Sequence, residues 1–199
     1  MYCGVPEQDP NRLVALILAG EIRTRVDKNI DRQLPDEHKL MERMAILSES
    51  VHLSAFYSIS TYQAEYYSAL FPSANIIIDS VTVKGPLAGL FSFYLKHPET
   101  DVLLLSCDMI QLNTSILKGL TDIYDTINIG HDIAVYQHGN GAVEPIPGIY
   151  TSEALKKLYW LFASNNLDKP ELEYCIEISN SFLLPIPDEQ KRFLYKQIH

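Results

Sequence analysis

The chain has 199 residues, 47% hydrophobic and 21% charged, which is enough for one well-buried domain of ordinary soluble composition and a tight fit for two. Its formal net charge of -9 excludes broad electrostatic capture of nucleic acid, which needs a basic face to release counterions, and leaves room only for a local basic loop around a small anion. The three cysteines, Cys3, Cys107 and Cys175, have no CxxC spacing and an odd count, so they suggest neither a disulfide framework nor a zinc site and fit a reducing cytoplasm.

Residues 1–11 read as a loose tail without the basic-then-apolar order of a signal peptide, and no apolar run reaches the roughly 18 residues of a membrane span. Beyond them, short apolar runs alternate with segments of helical period. A strand at Leu13–Ala19 is followed by a helix at Asp36–Glu49, a strand at Leu53–Ile59, a helix at Thr61–Phe71 and a strand at Asn75–Asp79. A helix at Pro86–Lys96 comes next, then a strand at Asp101–Cys107, a helix at Thr114–Tyr124, a strand at Asp132–Tyr136 and helices at Thr151–Ser164 and Pro187–Gln197. The runs are too uniformly apolar for half-exposed strands, and Pro86 suits a first helical turn, where its missing N–H is spare. The order predicts right-handed crossovers and a three-layer α/β domain, Rossmann-like, with a mostly parallel sheet.

In such sheets a ligand sits outside the carboxyl ends of the strands. Four loops therefore matter: Gly20–Gln33, Ser58–Tyr62, Asp79–Gly89 and Cys107–Leu112. In the first, Gly20 lets backbone N–H groups face an anion, and Arg23, Arg25 and Lys28 supply countercharge; the plainer reading is a turn with solvated basic residues. It is not a Walker loop, since no Gly-Lys-Ser/Thr follows at the required spacing. In the third, Asp79 ends a strand and the stretch GPLAG places Gly85 and Gly89 around a helix start. Asp79 is either an acceptor for a ribose or base edge or a turn cap. In the fourth, Asp108 ends the most apolar strand, either as a carboxylate for magnesium or as a helix cap. His138-Gly-Asn-Gly141 reads as a hairpin turn with a solvated histidine, and Cys107, beside Asp108, reads as packing rather than nucleophile.

Together, LILAG with Arg25 and an Asp-Lys pair, IIIDSVTVKGPLAG, LLLSCDM and PIPGIY resemble the molybdenum cofactor guanylyltransferases, the MobA-like NTP transferases, from Leu13 to about Asp188. The resemblance implies a nucleotide-diphospho-sugar-transferase-like fold that moves GMP from Mg-GTP to molybdopterin and releases pyrophosphate. It implies that Leu18, Ala19, Gly20 and Gly85 border the nucleotide, that Arg25 and Lys28 face the triphosphate, that Asp79 lies at the nucleoside and that Asp108 holds Mg2+. The expected catalytic set is Arg25, Lys28 and Asp108. The expected partners are GTP and molybdopterin, with no nucleic acid and no membrane, in a monomer or weak homo-oligomer.

The sequence also departs from the family pattern. Glu21 stands where the phosphate loop carries its second glycine, Arg23 replaces a serine, and Val26 replaces a Met-Gly pair, which brings Asp27-Lys28 in early and makes Asp31-Arg32 a possible substitute. The base-reading asparagine of the second loop is absent from Ser58-Ile59-Ser60, Ile110 replaces a proline, and Phe182-Leu-Leu-Pro-Ile-Pro-Asp-Glu-Gln190 lacks two asparagines. Two readings follow: an active nucleotidyltransferase, or a nucleotide-binding or regulatory protein on the same fold that has lost turnover. Related transferases using CTP or sugar phosphates remain as a third class.

Overall fold

The fold is described from a computed structural model, for residues 12–19, 37–127 and 130–186. At its centre lies β1 (Leu13–Leu18), whose residues from Leu13 to Ile17 are all buried. A strand covered on both faces needs apolar residues at every position, which is what LVALIL supplies. It pairs in parallel with β2 (Ala55–Ile59) on one side and β4 (Asp101–Ser106) on the other, and β3 (Asn75–Ile78) extends the parallel set beyond β2. Past β4 come the antiparallel β6 (Val143–Tyr150), then β5 (Ile133–Gln137) and finally β7 (Ser181–Pro185), giving the order β3-β2-β1-β4-β6-β5-β7.

The helices are α1 (Glu37–Glu49), α2 (Ala64–Leu70), α3 (Pro86–Lys96), α4 (Thr114–Thr121), α5 (Tyr124–Ile127), α6 (Ser152–Ala163) and α7 (Leu172–Glu177). The most deeply set is α3, with Leu87 to Phe93 all buried, and its Phe91 packs on Tyr159 and Phe162 of α6. No helix among the described residues is long and apolar enough to cross a membrane.

The expected α/β architecture with a mostly parallel sheet is present, with local differences. The helix expected over Thr61–Phe71 opens as a 3-10 turn at Thr61–Gln63, and the one over Thr114–Tyr124 divides at Asp122. Thr151 is the N-cap of α6 rather than its first residue, its hydroxyl accepting from the Ala154 N–H at 3.2 Å. The hairpin turn at His138–Gly141 is present, closed by His138 N–H to the Ala142 carbonyl at 2.8 Å. Its histidine is not solvated: Nε2 lies 2.6 Å from Glu144 Oε1, and the side chain is only 11% exposed. The expected helix at Pro187–Gln197 and the tail at 1–11 lie outside the described residues.

Three elements, β6, α7 and β7, were not expected. Pro145 and Pro147 argue against a strand because proline cannot donate to a ladder. Both fall where pairing is interrupted: β6 meets β5 at Val143–Glu144 and again at Gly148–Tyr150, with the register shifting between. The prolines occupy the gap, where no ladder donor is required.

The amino-terminal edge of the parallel strands is pinned by Asp101, which is fully buried. Its carboxylate accepts from the Tyr124 hydroxyl at 2.6 Å and from the Ser152 N–H, at the first turn of α6, at 2.7 Å, and Arg12 Nε lies 3.3 Å away. These partners satisfy a charge that would otherwise be costly to bury and place it at a helix amino terminus. Asp101→Ala removes the acceptor for all three groups and is expected to cost about 3–5 kcal/mol, read as a fall in the urea midpoint with the slope unchanged.

Candidate active site

At the opposite edge, β1, β2, β3 and β4 end together because they run parallel, and beyond their carboxyl ends lies a cleft of about 380 Å³. Leu18, Ser58, Asp79, Gly85, Gly89 and Ser106 are among its lining residues. Each strand therefore contributes a side chain or the start of a loop, as expected for a ligand site in a sheet of this kind.

Asp79 is the residue after β3. Its N–H donates to the Ile59 carbonyl at 2.8 Å, which fixes its backbone, and its carboxylate accepts from Ser58 Oγ at 2.7 Å. Burial pushes its pKa above the usual carboxylate value, and the Ser58 hydrogen bond partly offsets this. Thr61 Oγ1 donates to the Asp79 carbonyl at 3.2 Å, while Ser60 is held by Gln63, whose Oε1 accepts from the Ser60 hydroxyl at 2.6 Å.

GPLAG shapes the facing wall. Gly85 has a φ of +72°, a conformation L side chains rarely adopt, and a Cβ placed there would meet nothing within 4 Å. It caps α3 without a side-chain acceptor, and Pro86 follows in the first turn, as the sequence predicts. Gly89 is tight instead: a Cβ would come within 2.9 Å of Leu18 Cδ2 and Ser58 Cβ, and closer still to Ser58 Oγ. The missing side chain lets α3 settle directly on the ends of β1 and β2.

Asp108 follows β4. Its carboxylate accepts from Ser106 Oγ at 2.5 Å, and Ser106 lines the cleft. The loop after it is held from α1 by Arg43, whose guanidinium donates to the carbonyls of Met109, at 3.1 Å, and Leu112. Burial lowers the pKa of Arg43 below its ordinary value. Cys107 is fully buried and its N–H donates to the Leu18 carbonyl at 3.1 Å, a packing role as expected. Among the described residues no three His, Cys, Asp or Glu side chains gather into a metal cage. Asp108 beside the Ser106 hydroxyl is instead a single-carboxylate contact, which suits a divalent ion completed by phosphate oxygens and water.

Of the residues singled out in the sequence, Leu18, Asp79 and Gly85 line the cleft and Asp108 adjoins it through Ser106. Ala19 is buried, its N–H donating to the Ser58 carbonyl at 2.9 Å. Gly20, Arg25 and Lys28, with Glu21, Arg23, Asp31 and Arg32, lie outside the described residues. Sequence reasoning missed the hydroxyl group of Ser58, Ser60, Thr61 and Ser106 as a set, and it missed Arg43. A signal for Arg43 existed: Leu40, Met41 and Met44 are buried on the same helix, and a cation among them needs acceptors.

A mostly parallel sheet whose strand ends frame a glycine-edged cleft, with Asp79 on its lining and Asp108 adjoining it, is the arrangement of an α/β domain that binds a ligand at its strand ends. The chain belongs to the MobA-like NTP transferase family, whose domain matches residues 15–169, and is therefore a nucleotidyltransferase. No curated protein matches its sequence. Among solved structures it is similar to molybdopterin-guanine dinucleotide biosynthesis protein A from Archaeoglobus fulgidus, with a TM-score of 0.66, 20% identity and coverage of 91% of this chain and 86% of that one. It is also similar to a protein from Aquifex aeolicus, at 0.63, 19% and 94% of both chains. A third likeness is to 4-diphosphocytidyl-2C-methyl-D-erythritol synthase from Anaerococcus prevotii, at 0.61, 9% and 94% of both. At these identities the likeness is one of fold.

Gly89→Ala is expected to destabilise the protein by about 1–3 kcal/mol through overpacking. Adding Ser58→Gly removes two of the three atoms the new methyl would strike, leaving Leu18 Cδ2, and also takes away the donor to Asp79, so it should recover only part of the loss in a thermal melt. Equal stability of Gly89→Ala and the parent would show that α3 does not rest on these strand ends.

Proposed function

We propose that this chain transfers the GMP unit of Mg-GTP to the phosphate of molybdopterin, with release of pyrophosphate. The observation that carries the reading is the cleft itself, with Asp79 after β3 and Asp108 after β4 at the positions the family motifs assign to the nucleoside and the metal. Leu18 and Ala19 border the nucleotide at the end of β1, with Gly20 continuing the loop. Gly85 leaves space at the amino terminus of α3, where the positive end of the helix dipole favours an anion. Asp79 accepts from the nucleoside.

Arg25 and Lys28 neutralise charge that builds on the phosphates as an acceptor phosphate oxygen displaces pyrophosphate in line at the α-phosphorus. Asp108, oriented by Ser106, holds Mg2+, which when bound supplies further charge neutralisation and orients the phosphates. No protein nucleophile is needed, in keeping with a buried Cys107. The buried thiols of Cys107 and Cys175, neither of them in a disulfide among the described residues, accord with a cytoplasmic location.

A second reading, nucleotide binding without turnover, is favoured by Glu21, whose carboxylate opposes a triphosphate if it faces the pocket. Pyrophosphate release from GTP with and without molybdopterin separates the two.

Asp108→Ala should abolish the magnesium-dependent part of GTP binding and leave the fold intact, because Asp108 lies at the strand-end edge rather than in the core. At saturating ligand of 100 times Kd, the parent should gain about 2.7 kcal/mol of stability from Mg-GTP. Equal stabilisation of parent and variant would contradict the metal assignment.

A further inference from the structure

Every serine and threonine hydroxyl on the cleft lining has its proton engaged by the protein. Ser58 Oγ donates to Asp79 Oδ1 at 2.7 Å, Ser60 Oγ to Gln63 Oε1 at 2.6 Å, Thr61 Oγ1 to the Asp79 carbonyl at 3.2 Å and Ser106 Oγ to Asp108 Oδ1 at 2.5 Å. The direction of each bond follows from chemistry, since carboxylate and carbonyl oxygens only accept. For Gln63 the amide orientation is fixed as well, because its Oε1 also takes the backbone N–H of Ser60 at 3.3 Å. A hydroxyl has one proton and two lone pairs. With the proton used, what these side chains have left for a ligand is acceptor capacity, and the Asp79 carboxylate adds to it.

We propose that this wall of serine and threonine acceptors is the base-selecting device of the cleft, and that Ser60 Oγ accepts from the 2-amino group of guanine and Thr61 Oγ1 from the adjacent N1–H. The inference rests on the reading that the cleft holds a nucleoside triphosphate and names how that same site chooses among them. Guanine is the base that presents two neighbouring donors on one edge. Adenine and cytosine set an amino group beside a ring-nitrogen acceptor, and uracil sets one N–H between two carbonyls, so acceptor would meet acceptor.

The asparagine missing from the second loop is thereby replaced by hydroxyls whose polarity Gln63 and Asp79 dictate. Gln63 is 1% exposed and its Nε2 has no hydrogen-bond partner among the described residues. An unsatisfied buried donor calls for an explanation, and here the other end of the same amide holds Ser60 in its acceptor state. Tyr62, 69% exposed and lining the same cleft, offers a ring face to the base.

The test is calorimetric titration of the full chain, in magnesium, with GTP, ITP, 2′-deoxy-GTP and UTP. ITP lacks the 2-amino donor, and deoxy-GTP lacks a ribose donor. GTP should bind about tenfold more tightly than ITP, deoxy-GTP should match GTP within about threefold, and UTP should bind most weakly. Ser60→Ala should bring GTP to the level of ITP and leave ITP within twofold of its parent value. Gln63→Leu, which frees the Ser60 proton, should narrow the gap between GTP and UTP; if that variant does not fold, Thr61→Val serves as the second, weakening GTP and ITP alike because both carry N1–H.

UTP binding as tightly as GTP would overturn the base assignment and leave the nucleotide reading standing. A loss for deoxy-GTP with none for ITP would also overturn it, by turning the wall toward the ribose. If no triphosphate binds at all, the inference and the reading beneath it fall together.

Discussion

The hydrogen bond from Ser58 Oγ to Asp79 Oδ1 is the contact on which the functional edge depends. Ser58 is 2% exposed, so its small side chain is part of the packing as well as of the polar wall. It lies under Gly89, where a Cβ could not be accommodated, and so sets how closely α3 approaches β1 and β2. The same hydroxyl partly offsets the burial of the Asp79 carboxylate and has its proton committed to that carboxylate. A larger residue at position 58 would lift the helix, and an apolar one would leave a half-buried carboxylate without its donor.

The two edges of the sheet divide stability from chemistry. At the amino-terminal edge the carboxylates are satisfied by neighbouring groups: Asp101 by Tyr124 and Ser152, and Asp132 by Lys157 at 2.7 Å, with its carbonyl taking both the N–H and the hydroxyl of Thr151. At the carboxyl-terminal edge the hydrogen bonds are arranged differently. They hold acceptors in place, leave lone pairs unfilled and keep a glycine in a conformation that opens space. Arg43 belongs to this second edge, where a half-buried cation in α1 anchors the loop that carries Asp108 through two carbonyls distant in sequence.

Much of this was legible in the sequence because the signals were local. The uniformly apolar LVALIL and DVLLLS could only be central strands, Pro86 marked a helix start, and the strand-ending positions of Asp79 and Asp108 located the cleft. What escaped detection depended on pairing across the fold. Strand β6 was hidden by two prolines that are tolerated only because the register breaks around them. His138 looked solvated because Glu144, its partner, follows on the next strand of a hairpin. The engaged state of the cleft hydroxyls is a property of pairs such as Ser58 with Asp79, 21 positions apart, and no pattern of residue types along the chain encodes it.

The most direct measurement of the central claim, a nucleotide seated at the carboxyl ends of β1 to β4, is amide hydrogen exchange with and without Mg-GTP. Slowed exchange in the three segments 58–62, 79–89 and 106–109, together with the residues that follow β1, and with the amino-terminal edge around Asp101 and Asp132 unchanged, is the expected result. Unchanged exchange in these three segments under conditions where GTP is shown to bind, or protection centred on another face, would contradict it.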